Sequence, residues 1–261
     1  MKAHVGIAAL AAAAALLSSS RAEAIEPRGL GNKGQLILSA DRLVPFFSFT
    51  RSSVTQNDRG VDVTDSQTGA GLSLLLGRNV GHYEAFGQPI NVHNIPRVAF
   101  DFTIIDRLTL GAAIAFGFGL GGSRENERRD LPPVETDAPT ATALGIAPRV
   151  GYILGFSDLF GLWLRGGFGI YSVSAQTETV ENNGLRKVSL TDTQFSIDLD
   201  PQFVLVPVEH FFFHFGPLVN IPVGGSRSVE TSIGAQSVTV SNDIAVFHFG
   251  VSAGLGGYID L

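Results

Sequence analysis

The amino-acid sequence predicts an all-β fold, and three features of its 261 residues carry that prediction. Large apolar residues recur at every second position through most of the chain, which is the period of a β-strand. Short and long polar connections alternate between these runs. The positions between the large residues hold mostly Gly and Ala, with a few charged side chains. Together these features predict a transmembrane antiparallel up-and-down β-barrel.

The first 24 residues have the pattern of a secretory signal peptide. Lys2 precedes the apolar run VGIAALAAAAALL (5–17), and Ala22-Glu23-Ala24 has the A-x-A form of a cleavage site. As a helix this run rises only about 20 Å, too little to cross a hydrocarbon core of about 30 Å. We therefore expect residues 1–24 to be cleaved on export. A periplasmic N-terminal lead (25–34) and a barrel domain (35–261) then remain.

The strand period is clearest in FTIIDRLTLGAAIAFGFGLGG (102–122), a stretch apolar enough to suggest a membrane helix. Its even positions from Leu108 to Leu120 are mostly large, whereas the odd positions are Thr, Ala or Gly. A second alternating run precedes it, and Asp106-Arg107 separates the two. This pattern predicts two strands joined by a tight turn.

The same alternation continues to the C-terminus and predicts eight strands. They lie at about 35–50, 95–105, 108–121, 141–156, 161–175, 191–206, 210–223 and 244–261. Short turns are expected at 105–107, 157–160 and 207–210, and long polar loops at 51–68, 123–140, 175–190 and 224–243. An even strand number with this asymmetry places both chain ends and the short turns in the periplasm. We interpret 69–95 as an extracellular excursion, with a ten-stranded barrel as the alternative.

The large apolar residues are expected to face lipid. A soluble barrel would turn them inward and would need a well-hydrated outer face. The second face here is mostly Gly and Ala, and no predicted strand contains Lys. Aromatic residues near the short turns fit an interfacial girdle: Phe156, Phe160, Trp163 and Phe211.

The signal peptide, the eight alternating strands, the unequal loops and the final strand AVFHFGVSAGLGGYIDL (245–261) resemble the small outer-membrane β-barrel superfamily of Gram-negative bacteria. The resemblance covers residues 35–261 and is architectural. It implies a location in the cell outer membrane, contact with outer-membrane lipid and lipopolysaccharide, and folding by the outer-membrane assembly machinery. One departure is the last residue, because such chains usually end on an aromatic residue and this one ends on Leu261, three positions after Tyr258.

Several ionisable residues are predicted to face the barrel interior. They are Asp101, Arg149, Arg165, Asp192, Asp198, Asp200, His214 and His248. A proton path or a polar binding pocket is one interpretation. We favour a paired network that plugs the lumen, because eight-stranded barrels are too narrow for an open channel and buried charges need partners.

No catalytic residue, cofactor or metal site is expected. A net charge of -6 without a basic run argues against nucleic acid as a partner, and the absence of Cys excludes thiolate ligands. His210 and His214 would lie about 13 Å apart on one strand, too far to share a metal. His82 and His93 are expected to be solvated loop residues.

The predicted function is therefore that of an outer-membrane barrel with a structural or surface-interaction role and a largely plugged lumen. The alternative is a narrow, porin-like channel for ions or small solutes. A lipid-modifying enzyme, like the palmitoyl transferases and lipid A deacylases among small barrels, is less favoured. Its only support is the sequence proximity of His248 to Ser241 and Asp243, and we expect no enzymatic activity.

Overall fold

The computed structural model describes residues 29–58, 61–72, 92–119, 123–128, 131–137, 140–181 and 184–261. The predicted signal peptide lies outside the described residues. The strands are β1 (Gln35–Asp58), β2 (Val61–Leu72), β3 (Arg97–Ile105), β4 (Leu108–Gly119), β5 (Ser123–Arg128), β6 (Leu131–Asp137), β7 (Thr140–Gly155), β8 (Phe160–Glu181), β9 (Gly184–Val208), β10 (Phe211–Ile233) and β11 (Gln236–Asp260). A short 3-10 helix covers Val92–Asn94. Within these residues no helix is long and apolar enough to cross a membrane.

Within the described part of the chain, eight strands close into one antiparallel ring. The order around the ring is β1, β3, β4, β7, β8, β9, β10 and β11, and pairing of β11 with β1 closes it. Each strand pairs with its sequence neighbour in the ring, which is the up-and-down arrangement. The predicted fold class is therefore confirmed. The tight turns after β3, β7 and β9 fall where the short polar connections predicted them.

All four segments predicted as long loops contain paired strands instead. Among the described residues, 175–181 and 184–190 form the far end of the β8–β9 hairpin, and 224–243 form the far end of the β10–β11 hairpin. Residues 51–58 and 61–68 belong to the β1–β2 pair, and β5 and β6 pair within 123–140 as a separate two-stranded sheet. All four segments are polar in sequence, but they also contain the Thr and Val that suit strands.

The predicted excursion at 69–95 divides into three parts. Its first residues belong to β2, which pairs with β1 through Phe47–Asp58, whereas β3 pairs with β1 through Leu36–Asp41. Residues 73–91 lie outside the described part of the chain. Val92–Ile95 lies inside the ring, where Val92 and Ile95 pack with Tyr171. The expectation that His93 is solvated is wrong, since only 1% of it is exposed.

The two faces of the ring have opposite chemistry. Small side chains such as Ala99, Ala113 and Ala143 are buried on the inner face. The outer face exposes a belt of large apolar residues, including Phe100, Leu110, Ile114, Phe116, Leu144, Ile146, Phe168, Ile170, Phe203, Phe213 and Phe215. An exposed belt of this kind is the lipid-facing surface of a transmembrane barrel.

The predicted aromatic girdle needs one correction. Phe156 and Phe160 are exposed on the outer face, as expected. Trp163 is fully buried inside the ring, because it has the opposite strand parity to the outward Leu162 and Leu164.

Candidate functional site

The candidate site is the lumen of the ring, and the end of the lumen at the tight turns is filled by apolar side chains. The cluster there contains Leu30, Ile37, Ile153, Trp163, Val204, Val206, Phe212 and Tyr258. Leu30 belongs to the N-terminal lead, which folds under the ring. The Arg107 amide donates to the Gly31 carbonyl at 2.6 Å, and the Gly31 amide donates to Gln35 Oε1 at 2.8 Å. The lead therefore closes this end of the barrel as part of its core.

A first ionic layer lies in the lumen around Asp41. The Asp41 carboxylate pairs with Arg149 Nη1, with Arg165 Nη1 at 3.1 Å and with His214 Nε2 at 3.1 Å. Arg149 Nε also donates to Asp101 Oδ1 at 2.9 Å. These residues are all at least nine-tenths buried. Asp41 is thus the shared acceptor that joins side chains from three other strands, β7, β8 and β10.

Each arginine of this layer also pairs with a second aspartate, Arg149 with Asp101 and Arg165 with Asp200. Arg165 Nη2 donates to Asp200 Oδ2 at 2.8 Å, which completes a chain of alternating charges across the lumen. The indole ring of Trp163 lies against both guanidinium groups, 4.8 Å from Arg165 and 5.6 Å from Arg149. Its Nε1 donates to Thr109 Oγ1 at 3.2 Å. The indole therefore separates the charges from the apolar end of the lumen and adds a cation–π contact.

A β-bulge explains how the layer acquires its central carboxylate. The register between β1 and β11 shifts between Ala40 and Val44, and Arg42 has a positive φ of 59°. Two consecutive side chains, Asp41 and Arg42, consequently point into the lumen, and each is at most 2% exposed. A regular strand would have turned one of them to lipid.

A second ionic layer is centred on Asp198. Its carboxylate accepts from Arg97 Nη1 at 3.1 Å, from the Tyr171 hydroxyl at 3.1 Å and from Ser196 Oγ at 2.6 Å. Arg42 Nη2 lies 3.9 Å from the same carboxylate. Arg97 also lies over the Tyr171 ring, 5.1 Å from its centroid. Two guanidinium groups therefore share one carboxylate in this layer.

The 3-10 helix residues close the space beside this second layer. Arg42 Nη1 donates to the His93 carbonyl at 2.5 Å. The His93 ring stacks on His248 at a centroid distance of 5.7 Å and meets Tyr171 edge-on at 5.4 Å. The inward-folded segment is thus held by a charged hydrogen bond and by two ring contacts.

Further toward the opposite end of the ring, Arg227 and Asp192 form a separate pair. Arg227 Nε and Nη2 donate to the two Asp192 oxygens at 2.7 and 2.8 Å, and both side chains are almost completely buried. A planar guanidinium that engages both oxygens is the strongest geometry for such a pair.

The charges of the first and second ionic layers balance. Among the described residues there, four arginines (Arg42, Arg97, Arg149, Arg165) face four aspartates (Asp41, Asp101, Asp198, Asp200). A small pocket of about 10 Å³ lies between Arg97, Arg149 and Arg165 and the carboxylates of Asp198 and Asp200, roughly the room for one water molecule. The described side chains of the two layers are therefore neutral as a whole and closely packed.

The structure places all eight inward-facing residues expected from the sequence in the lumen, with Asp192 in the pair with Arg227. Asp101, Arg149, Arg165, Asp200 and His214 belong to the first layer, and Asp198 belongs to the second. His248 contacts His93 and, at 3.3 Å, Thr50 Oγ1.

The sequence reasoning missed Asp41, Arg42, Arg97 and Tyr171 as network members. Strand parity would have found Arg97, which shares the parity of Asp101 on β3. Parity could not have found both Asp41 and Arg42, because the bulge breaks the alternation at that point.

The grouping of His248 with Ser241 and Asp243 does not form a site. His248 is fully buried in the lumen, whereas Ser241 and Asp243 are exposed on the opposite face of β11. Seven residues of strand separate Ser241 from His248 by about 23 Å. The described residues also contain no cluster of three or more His, Cys, Asp or Glu side chains that could hold a metal ion.

No protein-family model matches the chain, and no curated protein matches it in sequence. Three solved structures are similar to it in fold. The outer membrane protein OprG from Pseudomonas aeruginosa has a TM-score of 0.43 and 12% identity over 90% of this chain and 100% of that one. The outer membrane protease OmpT from Escherichia coli has a TM-score of 0.36 and 10% identity over 86% and 97%.

The third is Ail, the attachment invasion locus protein of Yersinia pestis, with a TM-score of 0.32 and 10% identity over 87% of this chain and 99% of that one. At these identities and TM-scores the similarity carries no argument about function. The closed ring, the exposed apolar belt and the polar lumen have the architecture of a transmembrane β-barrel, the fold predicted from the sequence.

Proposed function

We propose that this protein is a non-conducting outer-membrane barrel with a structural or surface-interaction role. The observation that carries the proposal is that the lumen is filled at two successive levels. The apolar cluster around Leu30 and Trp163 occupies the periplasmic end, and the ionic layers around Asp41 and Asp198 lie above it.

The energetics of the ionic layers support a closed lumen. An ion or a polar solute would have to break buried pairs to pass, and removing one partner of such a pair costs about 3–5 kcal/mol. The layers are neutral as a whole, so they present no net field that would attract an ion of either sign. A conducting path would therefore need a rearrangement of several strands' side chains at once.

The strands that extend beyond the lipid belt support the surface role. The β8–β9, β10–β11 and β1–β2 hairpins continue well past the inward ionic layers and carry polar side chains on their outer faces. The belt itself would contact outer-membrane lipid, with lipopolysaccharide around its outer rim, after insertion by the assembly machinery. We propose no enzymatic role, because the candidate His248 is enclosed in the lumen far from Ser241.

Conductance in planar bilayers tests the closed lumen. We expect no steady current from the folded protein, under conditions in which a larger porin produces regular steps. Leu30→Gly removes part of the apolar layer but leaves both ionic layers, so it should remain closed as well. A stable open channel in the wild-type protein would refute the proposal.

Thiol labelling on intact cells tests the orientation. The chain has no cysteine, so a single introduced thiol reports one position. A membrane-impermeant reagent should label Thr239→Cys on the β10–β11 hairpin in intact cells. It should label Ser157→Cys in the β7–β8 turn only after the outer membrane is permeabilised, and the reverse pattern would contradict the proposed topology.

A further inference from the structure

The polarity of the barrel wall inverts above the lipid belt. We call this region the crown, meaning residues 53–57 of β1, 226–233 of β10 and 236–243 of β11. In the belt, β11 turns Phe249 outward and His248 inward. In the crown the outward residues are polar (Ser228, Glu230, Ser232, Ser237, Thr239, Ser241), and half of the inward residues that line the pocket there are valines. The outer face there meets water, so this partly apolar inner face resembles the inner face of a soluble barrel.

The described residues of the chain leave that space open. A pocket of about 250 Å³, which we call the cup, lies against the crown, and Val54, Val229, Val238 and Val240 line it. Val54 is buried at the base, but Val238 is 65% exposed and Val240 is 51% exposed. Concave apolar surface left open to solvent in this way is typical of a binding site.

The base of the cup carries no free charge. Arg227 lines it, and Nε and Nη2 on one edge of its guanidinium donate to the two Asp192 oxygens at 2.7 and 2.8 Å. Because the pair is buried and neutral as a unit, it offers no net attraction to an anion or a cation. Ile244 and Leu190, which pair with Val54 and Val229, are buried.

The wall of the cup also has a few polar groups. Gln56 and Asn242 present side-chain amides, which can donate and accept, and Thr231 presents a hydroxyl. An apolar pocket with a small number of such groups fixes the orientation of a ligand through one or two hydrogen bonds.

We propose that the cup binds a small, uncharged and mainly apolar molecule that carries one hydrogen-bonding group and arrives from outside the cell. The volume lies just below the range of about 300–1,000 Å³ typical for drug-sized ligands, which points to a single ring or a short chain. The valines would contact the apolar part, and Gln56, Asn242 or Thr231 would bind the polar group. The site lies above the Arg227–Asp192 pair, so binding does not depend on whether the lumen conducts.

Protection of an introduced thiol tests the cup directly. Thr231→Cys places a thiol inside it, and Thr239→Cys places one on the outer face of the same hairpin as the matched control. The two variants, in lipid nanodiscs, are treated with a small water-soluble thiol reagent while cyclohexanol is titrated as the probe. Cyclohexanol should slow modification of Thr231→Cys several-fold and saturably, and should leave the rate at Thr239→Cys unchanged.

Charged analogues and two further variants define the chemistry of the site. Cyclohexanecarboxylate and cyclohexylamine should protect much less than cyclohexanol. In the Thr231→Cys background, Val240→Asp should abolish protection by making the wall polar, and Val240→Trp should abolish it by filling the cup, with the folded gel band as the check on assembly. The proposal is overturned if cyclohexanol protects neither thiol or both equally, if protection survives both Val240 variants, or if the carboxylate protects best.

Discussion

Replacing Asp41 with Asn isolates the contribution of the central carboxylate, because the two side chains have nearly the same shape. Asp41 pairs with Arg149, Arg165 and His214, and its side chain is 2% exposed. The substitution leaves four buried arginines facing three aspartates in the first and second ionic layers. Removing one partner of a buried pair costs about 3–5 kcal/mol, and we expect a loss of unfolding free energy in that range.

Urea titration in lipid vesicles, followed by the heat-modifiable folded band, measures this loss. Asp243→Asn is the matched control, because Asp243 is exposed on β11 and its change should stay within about 0.5 kcal/mol. The double variant Asp41→Asn/Arg149→Gln should lose less than the sum of the single variants, since the second change removes the unpaired charge left by the first. A loss below about 1 kcal/mol for Asp41→Asn, or strict additivity, would refute the assignment of Asp41 as the shared acceptor.

Three further outcomes follow from the packing. Brominated acyl chains should quench the fluorescence of Trp163, the only tryptophan, weakly, because its side chain faces the lumen. The fluorescence of Phe160→Trp in a Trp163→Phe background should be quenched strongly, because position 160 is exposed on the outer face. Equal quenching of the two would place Trp163 in the girdle. Gly167→Ala should lower the unfolding free energy by about 1–3 kcal/mol, because its Cβ would collide with a backbone carbonyl of β7, whereas Gly224→Ala, which has open space, should change little in the same titration. Leu30→Ala should lower it by about 2–5 kcal/mol and expose the N-terminal lead to protease, and an unchanged digestion pattern would show that the lead is not part of the core.

The strand period explains why the ring was predictable. Alternation is a local property, so residues such as Leu110 and Gly111 reveal their faces without knowledge of any partner strand. The tight turns were equally visible, because Asp106-Arg107 interrupts two alternating runs. The ends of the strands were not visible in the same way, since Thr239 and Val240 alternate just as belt residues do but with the polar side outward.

The lumen was predictable in composition and not in its contacts. Parity identified Arg149 and Arg165 as inward residues, but their common acceptor Asp41 depends on a bulge that forms only when β1 pairs with β11. The burial of His93 likewise depends on the position of Val92–Ile95 inside the ring, which no local pattern indicates. The burial of Trp163, in contrast, was predictable, because its strand parity already indicated the inner face although it was assigned to the girdle.

The sequence alone was enough to predict an eight-stranded membrane barrel with a polar, narrow interior. The prediction was possible because the two-residue period and the lengths of the connections are local properties of the chain. Only the tertiary structure decided which charges share a carboxylate, that Leu30 closes the end of the lumen at the tight turns, and that the crown carries a partly apolar cup. Contacts of this kind join residues up to 225 positions apart in the sequence, such as Gln35 and Asp260. Such residues become neighbours only once the ring has closed.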